Sequence, residues 1–217
     1  MSTLVERILD TGAEPEIHGY LHRPESPNGD ALILAHSAGS NAQSPLLVSV
    51  AGAFADAGFT VLRMDLPFRQ ARPHGPPFPA VAAKDRQGIR RAVEFMRRSV
   101  QGRVFLGGHS YGGRQATMLA AEEPELASGL LLLSYPLHPP RKPEQKRDAH
   151  LPKLQTESLF VHGSRDPFGS PEEMAQALKL IPARTELVIC ERAGHDLKGA
   201  ELERLVVEKF VEFFGGA

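Results

Sequence analysis

Three side chains in this sequence have the types and the order that nucleophilic catalysis requires. Ser110 lies within "GHSYG", Asp166 within "SRDPFG" and His195 within "RAGHDLK". A serine hydroxyl is a weak nucleophile near neutral pH and needs an adjacent base, and an imidazole serves as that base when a carboxylate fixes its tautomer. The sequence therefore predicts a triad of serine nucleophile, histidine base and orienting aspartate.

The pentapeptide around Ser110 has the form G-x-S-x-G. Between a strand and a helix, this pattern allows a sharp turn that raises the serine hydroxyl above the sheet, and side chains at Gly108 or Gly112 would collide across that turn. The pattern arises by chance in about one such chain in ten, so it indicates a nucleophile only when a strand precedes it and a helix follows it. An apolar run, "RVFLGG", precedes it and a helical stretch, "RQATMLAAEE", follows it. We predict a nucleophile here; a purely structural turn or an inactive site is the alternative.

The other two members of the triad also have alternatives. Asp166 is an ordinary turn residue before Pro167 in one interpretation, and His195 is one of nine unspecialised histidines. Asp196 competes for the role of the aspartate, but side chains of adjacent residues rarely face each other in the way such a hydrogen bond needs. Asp166 is therefore the predicted partner of His195.

A tetrahedral oxyanion needs hydrogen-bond donors that are already in position. One predicted donor is the backbone N–H of Tyr111, directly after the nucleophile. The other is the N–H of Ala38, in the loop "HSAGSN" that follows the first core strand. This loop has a single glycine, Gly39, and neither a G-x-G-x-x-G pattern nor a following lysine, which argues against a nucleotide-binding loop.

The elements that must position these residues are buried strands alternating with amphipathic helices. Continuous apolar runs without polar alternation indicate strands covered on both faces, as in a parallel sheet. Ligands bind beyond the carboxyl ends of such strands, and Ser110, Asp166 and His195 each follow one of them. The predicted strands are 31–36, 59–65, 103–108, 129–134, 158–163 and 186–191.

Helix boundaries are also readable from the sequence. Ser44 followed by Pro45 is typical of a helix start. Ser170, followed by Pro171, has the same pattern, and Glu173 completes a capping box. A last helix is predicted at about 199–214. With the strands, these helices predict an α/β fold: a mostly parallel, doubly wound sheet flanked by helices.

Composition narrows the class of protein. The 217 residues are 41% hydrophobic and 24% charged with a net charge of −1, which predicts a single domain (1–217) and no nucleic-acid partner. The lone Cys190 excludes an internal disulfide, and no Cys/His cluster indicates a metal. No leader or membrane segment is apparent, so a cytoplasmic protein without cofactor is expected, with a homo-oligomer left open. Residues 1–28 are interpreted as an N-terminal extension, with an edge strand in the alternating stretch 16–24.

Several segments together resemble a family of small alpha/beta-hydrolases, the bacterial group close to testis-expressed protein thirty and, more distantly, the dienelactone hydrolases. The similarity runs over roughly 30–214. "YPLHPP" and "RDPFG" are specific to the group, whereas G-x-S-x-G marks the whole superfamily. The segments that carry it are "LILAHSAGSNAQSP", "GFTVLRMDLPF", "FLGGHSYGGRQATMLA", "YPLHPPRKPEQKRDAHL", "LFVHGSRDPFGSPEE" and "AGHDLKG".

The resemblance implies the alpha/beta-hydrolase fold without a separate lid domain, and a triad at Ser110, Asp166 and His195. Two positions depart from the family pattern. Ser37 stands where the first loop usually has glycine, beside the predicted oxyanion hole, and His109 stands where lysine is frequent. Dienelactone hydrolases proper use a cysteine nucleophile, so their substrate is not transferred to a protein with Ser110.

The resulting functional hypothesis is a serine hydrolase that cleaves small carboxylic esters or thioesters through an acyl-enzyme. The alternative is a non-catalytic or weakly active interaction module on the same fold. A peptidase has no supporting feature, and epoxide or haloalkane hydrolases would have aspartate at position 110. Substrate-binding candidates are Arg69, Tyr135 and His138; the rim loops also carry Arg72, His74, Arg141 and Lys142, which either select an anionic group or are simply solvated.

Overall fold

An eight-stranded β-sheet forms the centre of the molecule. The computed structural model describes residues 3–199 and 201–215. The strands are β1 (Leu4–Asp10), β2 (Ile17–Arg23), β3 (Ala31–Ala35), β4 (Thr60–Asp65), β5 (Val104–His109), β6 (Leu130–Leu133), β7 (Ser158–Gly163) and β8 (Thr185–Cys190). Their spatial order is β1-β2-β4-β3-β5-β6-β7-β8. The hairpin β1–β2 and the pair β2–β4 are antiparallel, and all other pairs are parallel.

Helices cover both faces of the sheet. Successive residues of a strand point to opposite faces, so Ile33 belongs to one core cluster while Leu32 and Leu34 belong to the other. Buried residues of the third, fourth and fifth helices pack in the first cluster, and those of the first and last helices pack in the second. The helices are α1 (Pro45–Asp56), α2 (Pro67–Ala71), α3 (Ala82–Arg97), α4 (Tyr111–Glu122), α5 (Pro171–Leu178) and α6 (Leu202–Gly215).

The predicted helix starts are confirmed. The Ser44 hydroxyl accepts a hydrogen bond from the Leu47 amide at the start of α1. At α5, Ser170 and Glu173 form a reciprocal capping box, which satisfies two amides that have no partner within the helix. All six predicted core strands also lie where the apolar runs indicated, within one or two residues.

The predicted edge strand needs a correction. The stretch 16–24 contains β2, which pairs with β1 on one side and β4 on the other and therefore lies inside the sheet. The edge strand at this end of the sheet is β1, and most of its residues are exposed. Its sequence, "LVERILD", mixes charged and apolar residues, which suits an edge strand but gives no clear strand signal.

Within the described residues, no helix is long and apolar enough to cross a membrane. The sheet instead places the loops after β3, β5, β7 and β8 at one edge, because parallel strands end on the same side.

Candidate active site

The three predicted triad residues meet at the carboxyl edge of the sheet. Ser110 is the single residue between β5 and α4. Asp166 lies in the loop after β7, and His195 lies in the loop after β8. Because β7 and β8 are neighbours and only β6 separates β7 from β5, the three loops lie side by side.

The backbone at Ser110 is strained. Its φ of 53° and ψ of −113° place a non-glycine residue in a sparsely populated region, as expected for a sharp strand-to-helix turn. The turn is packed directly against β3: a Cβ added at Gly108 or at Gly112 would collide with the Ala35 carbonyl oxygen. The Ser110 amide donates to the Leu133 carbonyl at 2.9 Å. The two glycines therefore let the chain turn tightly enough to present the hydroxyl.

A continuous hydrogen-bond chain links the three side chains. His195 Nδ1 lies 2.8 Å from Asp166 Oδ2 and 3.0 Å from Oδ1, and His195 Nε2 lies 2.8 Å from Ser110 Oγ. A carboxylate only accepts hydrogen bonds, so Nδ1 carries the proton and donates it. Nε2 is then free to accept the proton of the Ser110 hydroxyl, which is the arrangement a general base needs.

Asp166 is held as an anion inside the protein. Its carboxylate is fully buried and also accepts a hydrogen bond from the Phe168 amide at 2.9 Å. Burial alone would raise the pKa of Asp166, but the hydrogen bond and charge of His195, together with the Phe168 amide, outweigh it and keep the pKa below its usual range. The residue that orients His195 therefore stays ionised at neutral pH.

Two aromatic neighbours fix the position of His195. The Phe168 ring stacks on the imidazole with centroids 4.1 Å apart and an interplanar angle of 30°. His109 Nε2 donates to the His195 carbonyl at 2.8 Å, so the family-atypical residue before the nucleophile anchors the loop that carries the base. Burial, above all other influences, lowers the pKa of His109, which keeps this second imidazole neutral.

The two predicted oxyanion donors line the same cavity as Ser110. The Tyr111 amide is the first of α4, and the amides of a first helical turn have no partner inside the helix. Among the described residues, none accepts a hydrogen bond from the Tyr111 or Ala38 amide. Both N–H groups are therefore available to a ligand.

His36 fixes the loop that carries Ala38. Its Nδ1 donates to the Ser37 carbonyl at 2.8 Å, and its Nε2 accepts from the Leu66 amide at 3.1 Å. The Ser37 carbonyl and the Ala38 N–H belong to one planar peptide unit, so holding the first orients the second. Burial lowers the pKa of His36 to about 4, which preserves the neutral form that can accept from Leu66. Ser37 does not adopt a positive φ, so a non-glycine residue creates no left-handed strain there.

The structure does not bring the predicted substrate-binding residues to this cavity. Arg69 is 7% exposed and donates to the carbonyls of five residues. The Tyr135 hydroxyl donates to the Arg147 carbonyl at 2.6 Å, and His138 contacts Glu173 at 3.3 Å and the Pro139 carbonyl. All three are buried with their polar atoms engaged in the protein, so we correct their assignment from substrate contacts to structural supports. The five carbonyls bound by Arg69 belong to Ala38, Ser40, Arg72, Pro73 and Gly75.

The cavity over Ser110 has a volume of about 620 Å³ and a lining of mixed chemistry. Its apolar lining residues include Phe78, Pro136 and Phe168. Its polar wall is formed by Arg114 and Gln115 of α4 and by Arg147. Sequence reasoning missed these polar residues. Arg114 follows Ser110 by four positions, a spacing that places two residues on one helix face, whereas Gln115, five positions on, has no such signal.

No group of three or more His, Cys, Asp or Glu side chains suited to a metal ion occurs within 3–199 and 201–215.

Similarity to known proteins agrees with this geometry. Residues 28–210 match the family described as the alpha/beta hydrolase domain. The chain belongs to the alpha/beta hydrolase family. This confirms the predicted resemblance, and the family's fold accounts for the mostly parallel sheet.

Solved structures of alpha/beta hydrolases superimpose over nearly the whole chain. A dienelactone hydrolase from Anabaena variabilis has 23% sequence identity and a TM-score of 0.79, covering 99% of this chain and 98% of that one. A serine hydrolase homologue from Coxiella burnetii has 17% identity and a TM-score of 0.76, covering 96% and 98%. A serine hydrolase without lid from Xanthomonas campestris has 17% identity and a TM-score of 0.74, covering 98% and 95%. The predicted alpha/beta-hydrolase fold without a lid domain is thereby confirmed.

Proposed function

We propose that this alpha/beta hydrolase cleaves small carboxylic esters or thioesters with Ser110 as its nucleophile. The observation that carries the proposal is the position of His195, whose two ring nitrogens each lie 2.8 Å from a partner, Ser110 Oγ and Asp166 Oδ2. A serine and a histidine in an interaction module would not need this geometry. A net charge of −1 and a confined cavity favour a small acyl compound over a nucleic acid.

In the proposed first half-reaction, Ser110 Oγ attacks the carbonyl carbon while its proton passes to His195 Nε2. The negative charge that develops on the carbonyl oxygen is stabilised by the amides of Ala38 and Tyr111. His195 then gives the proton to the leaving alcohol or thiol as the carbon–leaving-group bond breaks, and an acyl-Ser110 ester remains.

In the second half-reaction, water replaces the leaving group. His195 takes a proton from the water as its oxygen attacks the acyl carbon, and returns it to Ser110 Oγ when the tetrahedral intermediate collapses. Asp166 stays ionised throughout and stabilises the imidazolium that forms twice per cycle. The carboxylic acid is released and the resting hydrogen-bond chain is restored.

The proposal is tested by a panel of p-nitrophenyl esters from acetate to decanoate, with S-ethyl thioesters and a thiol reagent as the second arm. We expect hydrolysis by the wild-type protein, and a fall in kcat/KM of roughly 10⁴-fold or more in Ser110→Ala. Ser40→Ala is the matched control, because its hydroxyl makes only a 3.5 Å contact with the Asn41 carbonyl. Activity that survives in Ser110→Ala, or a wild-type protein inactive on both arms, contradicts the proposal and favours the interaction module.

A further inference from the structure

The polar wall of the cavity points to the chemical class of substrate, an inference that rests on the proposed function. We propose that the substrate carries a carboxylate a few atoms from the scissile bond, and that Arg114, Arg147 and Gln115 bind it. These three residues line the cavity over Ser110 together with apolar residues such as Phe78 and Phe168.

Helix geometry places Arg114 near the reacting atoms. Arg114 follows Ser110 by four residues, and its amide donates to the Ser110 carbonyl at 2.9 Å, which is the first hydrogen bond of α4. Residues four apart share one face of a helix and are separated by about 6 Å along its axis. Met118, one turn further, lines the same cavity. A group bound by Arg114 therefore lies within the length of a short acyl chain or alcohol from Ser110.

The Arg114 guanidinium has no partner among the described residues. Within 3–199 and 201–215 its side chain makes no hydrogen bond and no ion pair within 4.0 Å, and its Nε is buried without an acceptor. Buried guanidinium nitrogens are almost always satisfied, so a buried N–H without an acceptor indicates a missing one. A carboxylate bound in the cavity would supply it.

Gln115 offers a second unused donor. The side chain is 0% exposed, its Oε1 accepts from Arg86 Nη1 at 3.1 Å, and its Nε2 has no acceptor among the described residues. Since Oε1 accepts from Arg86, the amide cannot flip without turning its NH2 donor toward the Arg86 Nη1 donor. The group that remains for a ligand is thus an N–H donor.

Arg147 is positioned by its backbone, which leaves its side chain available. Its amide donates to the Leu137 carbonyl at 2.7 Å and its carbonyl accepts from the Tyr135 hydroxyl at 2.6 Å. The guanidinium makes one long contact, 3.4 Å to the Pro136 carbonyl. Burial, and next the charge of Arg114, lower the pKa of Arg147. The two guanidiniums therefore repel each other, and an anion between them would relieve that repulsion.

The acidic groups near this wall make no ion pair with its two arginines within the described residues, and Asp196, which also lines the cavity, lies 3.9 Å from Lys198 Nζ. Glu122 pairs with Arg86 at 3.6 Å, and Asp85 accepts hydrogen bonds from the Tyr111 hydroxyl and the Phe68 amide. Asp148, beside Arg147 in the chain, forms no ion pair within 4.0 Å with either guanidinium of the wall among the described residues. Two guanidiniums and one amide N–H, all pure donors, match a carboxylate, which only accepts.

The test uses two pairs of esters that differ only in charge. Monoethyl succinate and ethyl succinamate place the carboxylate or its neutral amide on the acyl side, and 4-acetoxybutanoate and 4-acetoxybutanamide place it on the alcohol side. We expect the wild-type kcat/KM to favour the anion in at least one pair by about tenfold to a hundredfold. In Arg114→Gln and in Arg147→Gln that ratio falls toward one.

Arg98→Gln is the control for the change in net charge, because Arg98 is an exposed residue at the end of α3, away from the cavity. It leaves the ratio as in the wild type. Equal kcat/KM values within both pairs, or an anion preference that survives in Arg114→Gln, overturn the inference.

A binding measurement separates this inference from the proposed function. Ser110→Ala should bind at least one of the two anionic esters by titration calorimetry, and Ser110→Ala/Arg114→Gln should bind that ester at least about tenfold more weakly. This result stands even if hydrolysis fails, in which case only the proposed function is lost. Hydrolysis of the neutral esters with no Arg114-dependent binding of the anions overturns the carboxylate site and leaves the proposed function intact.

Discussion

Two arginines near the same cavity have opposite surroundings. Arg69, behind the wall formed by Ala38, is 7% exposed and donates to five backbone carbonyls. Arg114, in the wall formed by α4, makes no hydrogen bond or ion pair within the described part of the chain. The first holds two loops together, and the second has its donors free.

The contrast teaches how to separate binding residues from supporting ones. Sequence reasoning chose Arg69 because a positive charge in a loop at the carboxyl edge suits an anionic substrate. A guanidinium whose donors are already used cannot bind another acceptor without breaking what it holds. Unused donors, rather than charge and proximity, identify the candidate for substrate binding.

The largest expected effect is on the stability of a variant that lacks Arg69, whose donors are all engaged by backbone carbonyls. Arg69→Gln leaves several carbonyls of loops 38–40 and 72–75 without their donor, and each hydrogen bond to a charged group contributes about 1.5–3 kcal/mol. We expect the free energy of unfolding to fall by at least about 3 kcal/mol in urea denaturation. Activity on neutral and anionic esters should fall together, since the Ala38 amide loses its support. An unchanged stability would show that the carbonyls do not depend on Arg69.

Both ring nitrogens of His36 are also hydrogen-bonded within the protein. Its contribution to the free energy of unfolding should therefore depend on pH. Its pKa is lowered from the usual 6.5 to about 4, so the unfolded chain binds more protons between these values and stability is lost as pH falls through that window. Between pH 7 and pH 5 this loss amounts to about 2 kcal/mol for one histidine.

This contribution is measured by urea denaturation of the wild type and of His36→Gln, each at pH 7 and at pH 5. The variant cannot titrate at this position, so its loss of stability between pH 7 and pH 5 should be smaller by about 2 kcal/mol. Equal pH dependence in the two proteins would mean that His36 is not held neutral by the fold.

Arg114→Gln should have little effect on stability, in contrast to Arg69→Gln. Because the guanidinium makes no hydrogen bond or ion pair within 3–199 and 201–215, its removal should change the free energy of unfolding by less than about 0.5 kcal/mol. The relief of repulsion with Arg147 acts in the stabilising direction. Urea denaturation measures this change, and a loss of more than about 2 kcal/mol in the free energy of unfolding would show that Arg114 is a structural residue.

Ser37→Gly is the smallest expected effect. Ser37 orients Ala38 through its backbone carbonyl, which accepts from His36, and its φ does not require glycine. We therefore expect kcat/KM for p-nitrophenyl butyrate to change by less than about twofold, or about 0.4 kcal/mol. A gain of more than tenfold would mean that the serine side chain weakens the oxyanion site.

Much of the fold and the triad could be predicted because the signals are local. Buried parallel strands such as β5 and β7 are continuous apolar runs, so their ends could be located. Once the strand ends were known, Ser110, Asp166 and His195 fell at one edge. The edge strand β1 was missed because its exposed, mixed sequence has no such run.

The polar wall could be predicted only in part. Arg114 lies one helical turn after Ser110, so its place follows from spacing alone. Arg147 lies in the long connection 135–153, and hydrogen bonds to Tyr135 and Leu137 bring it to the cavity. These are tertiary contacts, and no repeating pattern in the loop sequence predicts them.

The most direct test of the account is the site of a covalent fluorophosphonate adduct, located by peptide mass spectrometry. We predict one adduct per chain on Ser110, no labelling in Ser110→Ala, and slower labelling in Asp166→Asn because the imidazole loses its orienting carboxylate. An adduct on another residue, or equal labelling after Ser110→Ala, would contradict the account.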